Sequence, residues 1–217
     1  MNKSHISRLT EEKIREMMSV DAAHDWWHIV RVRAIAATIA KAEGEDGFLV
    51  DMIALLHDVY DPKLRPVDDE ESAILELFRE ISVADELGEF AKIIAHDAAN
   101  LGWRGGDNTE ELSKVGQIAQ DADRLDAIGA IGIARVFAFN GAKHREIYDP
   151  EAGIREVSPE EYRDPMRKTH AIQHFYEKLL KLRDTLNTES ARQIASERHE
   201  FMEQYLDEFF AEWNGER

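Results

Sequence analysis

Apolar residues recur at helical spacing along nearly the whole sequence, and no stretch shows the sustained alternation of a half-buried β-strand. In one segment, Ile29, Val32, Ala36 and Ile39 fall on one face of a helix. A chain with this pattern has to bury the apolar faces of its helices against one another. The sequence therefore predicts an all-α helical bundle.

The helices are predicted from where this periodicity starts and stops. Thr10, with acids directly after it, is the expected N-cap of a short leading helix. Further helices are predicted at about 24–42, 48–60, 68–82, 84–98 and 109–139, and two closing helices within 166–214, divided at about 187. Residues 140–165 hold three of the five prolines and predict a long surface loop or lid, with one short helix starting at Ser158 and Pro159. Residues 1–217 are expected to form a single domain.

Charge and hydropathy exclude several classes of partner. The formal net charge of -17 opposes binding to a nucleic-acid polymer, and no basic stripe interleaved with aromatic residues offsets it. No window approaches the roughly 18 consecutive apolar residues of a membrane span. Acidic residues near the N-terminus stand where a signal peptide would need an apolar stretch. We therefore expect a cytoplasmic protein without a membrane or nucleic-acid partner; a small anion remains possible. Because the chain has no cysteine, a metal site would use His, Asp and Glu.

The segment DAAHDWWHIVRV, residues 21–32, holds two histidines four residues apart. With Asp25 directly after His24, it approaches the H-E-x-x-H helix of zinc peptidases, whose glutamate is the base. His28 shares a helix face with Val32 and is expected to point inward, whereas His24 is expected to line the mouth of a cleft. A lone inward histidine is also typical of an ordinary core residue, so this segment alone does not decide between them.

A second histidine is followed directly by a carboxylate, where the apolar run ALLHDVYDP ends in His57 and Asp58. Adjacent residues differ by about 100° around a helix, so both can reach one ion only at their shared edge. Asp61 follows one turn after His57 and is expected on the same rim as a possible base. Lys63 and Arg65 come next, and ordinary solvated loop positions are an equally good interpretation for them.

Three acids compete in QDADRLDAIGAIG, residues 120–132. Asp123 lies on a stripe of small residues, including Gly116, that would let another helix approach closely. A carboxylate on such a stripe would be costly without a partner, and a bound cation would supply one. Asp121 and Asp126 are instead expected to be outer-shell or surface acids.

This ordered set of residues resembles the H…HD…D signature of the HD-domain metal-dependent phosphohydrolases. The segments HDWWHIVRV, LLHDVYDPK, QDADRLDAIGAIGIAR and HFYEKLLKLRDTLNT resemble its small bacterial branch and together span about residues 20–200. By position, the resemblance implies the metal ligands His28, His57, Asp58 and Asp123. A peptidase site would leave the last three without a role, so we expect His28 to bind the metal without His24.

The resemblance further implies a helical bundle that holds one divalent ion in its core and hydrolyses phosphate esters or anhydrides. Mn²⁺, Fe²⁺, Co²⁺, Mg²⁺ and Zn²⁺ all suit a mixed His and carboxylate site. Asp61 is the candidate catalytic residue, which would position water or remove its proton. The residues expected to contact substrate are His24, Lys63, His96, Arg124 and Lys178. A surface role is the alternative for Lys63, Arg124 and Lys178. His96 could alternatively protonate the leaving group or bind a second metal.

Within the small bacterial branch, the resemblance points to nucleotides as the phosphorylated substrates. Release of pyrophosphate from nucleoside triphosphates is the main hypothesis, and cleavage of a nucleotide phosphomonoester is the alternative. A regulatory HD module that binds a nucleotide without turning it over is the alternative from another class. His170 and His174, beyond the predicted loop, could touch substrate if that loop closes. The sequence does not indicate whether the protein is a monomer or an oligomer.

Overall fold

The computed structural model describes residues 2–18, 26–60, 65–103, 110–164 and 166–217. These residues form helices, turns and loops without a β-strand, which confirms the all-α prediction. The chain divides into two compact units, residues 1–123 and 124–217. That residues 1–217 act as one domain stays a prediction.

The first unit is built around a buried central helix. Its helices are α1 (Lys3–Met17), α2 (Trp26–Glu43), α3 (Gly47–Leu56), α4 (Glu70–Glu80), α5 (Ala84–Leu87), α6 (Phe90–Asn100) and most of α7 (Lys114–Asp126). The central helix α3 packs against α1, α2 and α6, while α4 packs on α6. The core of this unit therefore surrounds the helix that ends just before His57.

The leading helix begins earlier than the sequence predicts. Thr10, the expected N-cap, is buried inside α1, where its hydroxyl donates to the Ile6 carbonyl at 2.9 Å. Asn2 caps the helix instead, because its side chain accepts from the backbone N–H of His5 at 3.2 Å. The prediction of Thr10 was wrong because a threonine hydroxyl can also bond backwards within a helix.

A charged network fixes α2 against its neighbours. The Arg33 guanidinium donates to both carboxylate oxygens of Asp51, at 2.7 and 2.9 Å, and to Glu11 at 2.8 Å. Burial opposes the charge of Arg33, but the hydrogen bonds to the two carboxylates outweigh it and raise the pKa of Arg33 above its ordinary value. Because these three residues belong to α2, α3 and α1, the network sets the position of α2 and of the histidine that it carries.

The single helix predicted at 109–139 is wrong, because the structure has α7 and then α8 (Gly129–Ala142). Gly129 has a φ of +75°, the left-handed conformation that ends a helix and that only glycine adopts at little cost. The predicted helix at 84–98 is likewise divided between α5 and α6. No single helix in the described residues is long and apolar enough to cross a membrane, and α7 and α8 meet that test only when counted together.

The second unit contains α8 and the closing helices. These are α9 (Pro159–Arg163), α10 (Ala171–His174), a π-helical turn (Phe175–Leu179), α11 (Leu180–Leu182), a 3₁₀ turn (Arg183–Thr185) and α12 (Glu189–Trp213). The short helix predicted at Ser158 and Pro159 is confirmed, with Ser158 as its N-cap. The first closing helix is interrupted, whereas the second is continuous and is capped by Thr188.

The loop after α8 is tied by its backbone to the start of α10. The N–H groups of Ala171 and Ile172 donate to the carbonyls of Glu146 and Ile147, each at 3.0 Å. The ring of Tyr148 packs edge-on against aromatic rings of α12 and against His170. These contacts hold the loop in place within the second unit, and the lid role of residues 140–165 stays a prediction.

Candidate metal centre

The four side chains predicted as metal ligands meet within the first unit. The Nε2 atoms of His28 and His57 lie 3.2 Å apart. The His28 Nε2 atom lies 3.4 Å from a carboxylate oxygen of Asp58 and 3.4 Å from one of Asp123. From the His57 Nε2 atom, the corresponding distances are 3.5 and 3.7 Å. Two imidazole nitrogens and two carboxylates therefore face one another across a small gap.

The end of α3 explains how adjacent residues reach the same gap. The helix ends at Leu56, and residues 57–60 form a turn in which the Val59 N–H donates to the Leu56 carbonyl at 3.1 Å. His57 keeps helical backbone angles, φ -60° and ψ -28°, so its side chain and that of Asp58 leave the helix end on adjacent sides and reach the gap from their shared edge. The buried α3 brings both to the core of the unit.

Hydrogen bonding prepares the His57 ring to bind a metal. Its Nδ1 atom lies 2.8 Å from the carbonyl oxygen of Ala54. Since a carbonyl can only accept, Nδ1 carries a proton, so Nε2 is the nitrogen whose lone pair can bind a metal, and it faces the other three side chains. Metal-binding histidines commonly have their second nitrogen held in this way.

The electrostatics of the cluster favour ionised carboxylates. Burial opposes ionisation, but the neighbouring His57 and His28 hold the pKa of Asp58 below its ordinary value. Burial likewise opposes the charge of Asp123, whose pKa is nevertheless held well below its ordinary value by the same two rings. The carboxylates in turn raise the pKa of His57 although burial works against this. Both carboxylates are therefore held in the ionised form, which is the form that binds a cation.

A divalent ion fits this donor set. Bonds from such an ion to nitrogen or oxygen are about 2.0 to 2.2 Å long, which places neighbouring ligand atoms roughly 3.0 to 3.5 Å apart. The distances from the two Nε2 atoms, 3.2 to 3.7 Å, lie close to that range. The Asp58 Oδ2 atom is buried and accepts no hydrogen bond from the described residues. His28, His57 and Asp58 could thus hold a metal ion, with Asp123 beside them.

The other two acids of the QDADRLD segment are not on the surface. Asp121 is fully buried, and Asp126 is 1% exposed, so the surface alternative for both is wrong. Asp126 forms an ion pair with Arg135 at 2.7 Å in the second unit. An outer-shell role for Asp121 or Asp126 stays a prediction.

A further adjacent His-Asp pair, His96 and Asp97, has different contacts. His96 lies 3.4 Å from Glu71 through Nδ1 and 3.2 Å from the Glu111 carbonyl through Nε2. Asp97 is buried and accepts hydrogen bonds from the N–H and the hydroxyl of Ser113, directly before α7. Sequence reasoning missed this role of Asp97, because nothing in the sequence pairs it with Ser113.

The remaining predicted site residues are placed as follows. Arg124 is buried in the second unit, where its guanidinium donates to the Thr185 carbonyl. Lys178 lies in the π-helical turn of the same unit and is partly exposed. Their contacts with substrate stay predictions. His24, Asp61 and Lys63 lie outside the described residues.

His170 has a structural role in the second unit. It is the N-cap of α10, where its Nδ1 atom accepts from the Gln173 N–H at 3.1 Å, and its Nε2 atom lies 3.1 Å from the Gly153 carbonyl. An N–H donor on one nitrogen and a carbonyl acceptor on the other require the neutral ring with its proton on Nε2. The ring therefore joins the loop after α8 to α10.

His174 belongs to a buried charged group. Its Nδ1 atom lies 3.1 Å from Glu177, whose other carboxylate oxygen accepts from Arg167 at 2.7 Å. Burial is the main reason why the pKa of His174 is below its ordinary value. Glu177 lies in the π-helical turn, a conformation that is often found at functional sites. A contact of either histidine with substrate stays a prediction.

Comparison with protein families gives a match to the model described as HD domain, over residues 26–128. These residues include all four members of the His and Asp cluster. YpgQ of Bacillus subtilis (strain 168) is 38% identical over 187 residues, which cover 85% of this chain and 82% of YpgQ.

Two solved structures share the fold over almost the whole chain. A HD-superfamily hydrolase from Bacillus thuringiensis has a TM-score of 0.75 and 38% identity, covering 98% of this chain and 99% of its own. The structure of B. subtilis YpgQ in complex with ADP has a TM-score of 0.75 and 33% identity, covering 96% of this chain and 95% of its own.

Proposed function

Since this chain belongs to the HD-domain family, we propose that it is a metal-dependent phosphohydrolase of small phosphorylated substrates. In this proposal, the substrates are nucleoside triphosphates, from which the protein releases pyrophosphate. The observation that carries the proposal is the convergence of four side chains, those of His28, His57, Asp58 and Asp123. The Nε2 atom of His28 lies 3.2 Å from that of His57 and 3.4 Å from an oxygen of each carboxylate. The first unit contains all four, and three of its helices position them.

His57 and the two carboxylates of the cluster each have a defined part in the proposal. His57 offers its Nε2 lone pair because its Nδ1 proton is bound to the Ala54 carbonyl. Asp58 and Asp123 supply negative charge, and their low pKa values keep that charge at neutral pH. A divalent ion bound by these side chains supplies Lewis-acid activation of water and neutralises charge on a phosphoryl group.

Support for a nucleotide substrate comes from a relative. YpgQ of B. subtilis, at 33% identity over almost the whole chain, was crystallised in complex with ADP. A site that accepts a nucleoside diphosphate has room for the base, the sugar and two phosphates. Substrate contacts by His24, Lys63, His96, Arg124 and Lys178, and water positioning by Asp61, complete the proposal.

The test is a nucleotide screen on protein reloaded with Mn²⁺ after chelation. Nucleoside mono-, di- and triphosphates are supplied separately, and phosphate and pyrophosphate are measured as distinct products. We expect pyrophosphate from triphosphates. Orthophosphate from monophosphates would support the phosphomonoesterase instead, and nucleotide binding without any product would support the regulatory module.

Asp61→Asn separates the proposed catalytic residue from the proposed ligands. We expect this variant to retain the metal and to bind nucleotide nearly normally, but to lose about 10²-fold or more in kcat, the scale on which a positioned acid or base contributes. Asp68→Asn is the matched control, because Asp68 is an exposed aspartate a few residues further along. Full activity of Asp61→Asn would contradict the assigned role.

A further inference from the structure

A polar cavity of about 630 Å³ lies within the second unit, between the loop after α8 and the segment that leads into α10. Two acids line it, together with five basic residues: Lys143, Arg145, Arg155, Arg167 and Lys168. Over the whole chain the balance is reversed, with 27 Lys and Arg against 44 Asp and Glu. The cavity is therefore a local concentration of positive charge in an acidic protein.

Two of these basic residues already have carboxylate partners. Both terminal nitrogens of Arg155 donate to Glu161. Arg167 donates to the buried carboxylate of Glu177 at 2.7 Å. These pairs shape the wall of the cavity and leave little charge for a ligand.

The other three basic residues have no carboxylate within ion-pair distance among the residues that the structure describes: Lys143, Arg145 and Lys168. The charged groups of Lys143 and Arg145 lie 5.8 and 5.9 Å from the ring centre of Phe139. An aromatic face attracts a cation but does not neutralise it. Three cationic groups are thus left to compensate an anion.

The acids that line the cavity offset this charge only in part. Asp149 is occupied in a turn, because one of its oxygens accepts from the N–H groups of Glu151 and Ala152, at 2.9 and 3.1 Å. Glu146 is exposed and is the remaining repulsive group. The hydroxyl of Thr169, also in the lining, is buried and has no hydrogen-bond partner in the described part of the chain. It can donate to an oxygen of a bound ligand.

The walls of the cavity are held before any ligand arrives. The Gln173 side chain accepts from the backbone N–H of Arg155 at 3.1 Å and donates to the carbonyl of the same residue at 2.8 Å. The His170 ring donates to the Gly153 carbonyl from the same segment. Fixed walls reduce the entropy that binding costs, which favours binding of a small ligand.

We infer that this cavity is a binding site for a small molecule that carries a phosphate group. Lysine and arginine side chains with a nearby hydroxyl are the usual partners of phosphate oxygens. The volume lies in the range of small-molecule pockets. The described lining residues include no Phe, Tyr or Trp, and their only rings are the imidazoles of His144 and His170. They therefore offer little aromatic surface for a nucleobase, which favours a sugar phosphate or inorganic pyrophosphate. The inference does not rest on the proposed reaction, because none of the basic residues of the cavity is a proposed metal ligand or substrate contact.

Isothermal titration calorimetry at low salt tests the inference with three probes: inorganic phosphate, pyrophosphate and ribose 5-phosphate. The titrations use chelator-treated wild type and His57→Ala, so that binding at the metal cluster does not contribute. We expect one saturable site in both proteins. Preference for ribose 5-phosphate would identify a sugar phosphate as the ligand class, and preference for pyrophosphate would identify the inorganic ion.

Charge variants locate the site. Lys168→Gln and Arg145→Gln should each weaken binding about tenfold or more, the scale of a hydrogen bond to a charged group. Glu146→Gln should strengthen binding, because it removes the repulsive carboxylate. Lys181→Gln is the matched control, since Lys181 is an exposed lysine of the same unit outside the cavity. Circular dichroism checks that each variant is folded.

Three results would overturn the inference. Absence of binding for all three probes would do so directly. Equal weakening in Lys181→Gln and Lys168→Gln would show that only the general charge of the protein matters. Binding that is lost in His57→Ala but unchanged in Lys168→Gln would place the anion at the metal cluster and not in this cavity.

Discussion

At the scale of single residues, the two candidate histidines of the segment DAAHDWWHIVRV, His24 and His28, have different expected roles. His28 is 2% exposed, and its Nε2 atom lies within 3.4 Å of two carboxylates. His24 lies four residues earlier in the sequence. The proposed site therefore needs His28 for the metal, whereas His24 is expected to act on substrate.

This difference predicts opposite outcomes for two alanine variants. His28→Ala should lose the metal, because it removes one nitrogen donor and leaves two carboxylates without its ring. His24→Ala should keep stoichiometric metal and show weaker substrate binding or slower turnover. Elemental analysis of both variants, purified without chelator, makes the comparison. Equal loss of metal in the two would support a paired-histidine site and would contradict the proposed ligand set.

The resemblance to the H…HD…D signature implied the members of the cluster, and local sequence patterns supplied only part of that information. His28 follows from helical periodicity, and His57 with Asp58 from polar residues at the end of an apolar run. The burial of Asp121 and Asp126 was missed because it depends on neighbours that are distant in sequence, such as Arg135 for Asp126. The same limit applies to Asp97, whose partner Ser113 is 16 residues away.

At the scale of helices, the boundaries depend on backbone conformation more than on periodicity. Apolar spacing continues through the AIGAIG segment, so it gave one helix where the structure has α7 and α8. The π-helical turn at Phe175–Leu179 also keeps an apolar face and was not predicted. Periodicity reports which side of a segment is buried, but it does not report a single residue with left-handed φ.

Gly129 and Gly141, both in α8, provide a matched test of this explanation. Gly129→Ala should destabilise the protein by about 1 to 2 kcal/mol, because φ at this position is +75° and the new Cβ would lie 3.0 Å from the Arg198 side chain. Gly141→Ala should stabilise it by roughly 0.5 to 1 kcal/mol, because Gly141 is helical and a Cβ there meets no atom within 4 Å. Urea denaturation measures both. A change of the same sign in the two variants would contradict the assigned role of Gly129.

At the scale of the whole molecule, the sequence predicted the fold class. The described residues contain no strand, so helical periodicity was enough to predict an all-α fold. The cavity of the second unit was not predicted, because its basic residues come from segments around residues 143–155 and 166–173 that only the fold brings together. The net charge of -17 conceals this local excess of positive charge.

The stability of the folded chain should depend on a divalent ion. The four proposed ligands come from α2, the end of α3 and α7, so an ion that they bind stabilises the folded state and has no such site in the unfolded chain. At a free Mn²⁺ concentration about 1,000 times Kd, this linkage contributes about 4 kcal/mol. For a chain of this size that corresponds to a rise in Tm of roughly 8 to 16 °C. Thermal denaturation of chelated protein, with and without Mn²⁺, measures the shift. His57→Ala should show little of it, and an equal shift in that variant would mean that the ion binds elsewhere.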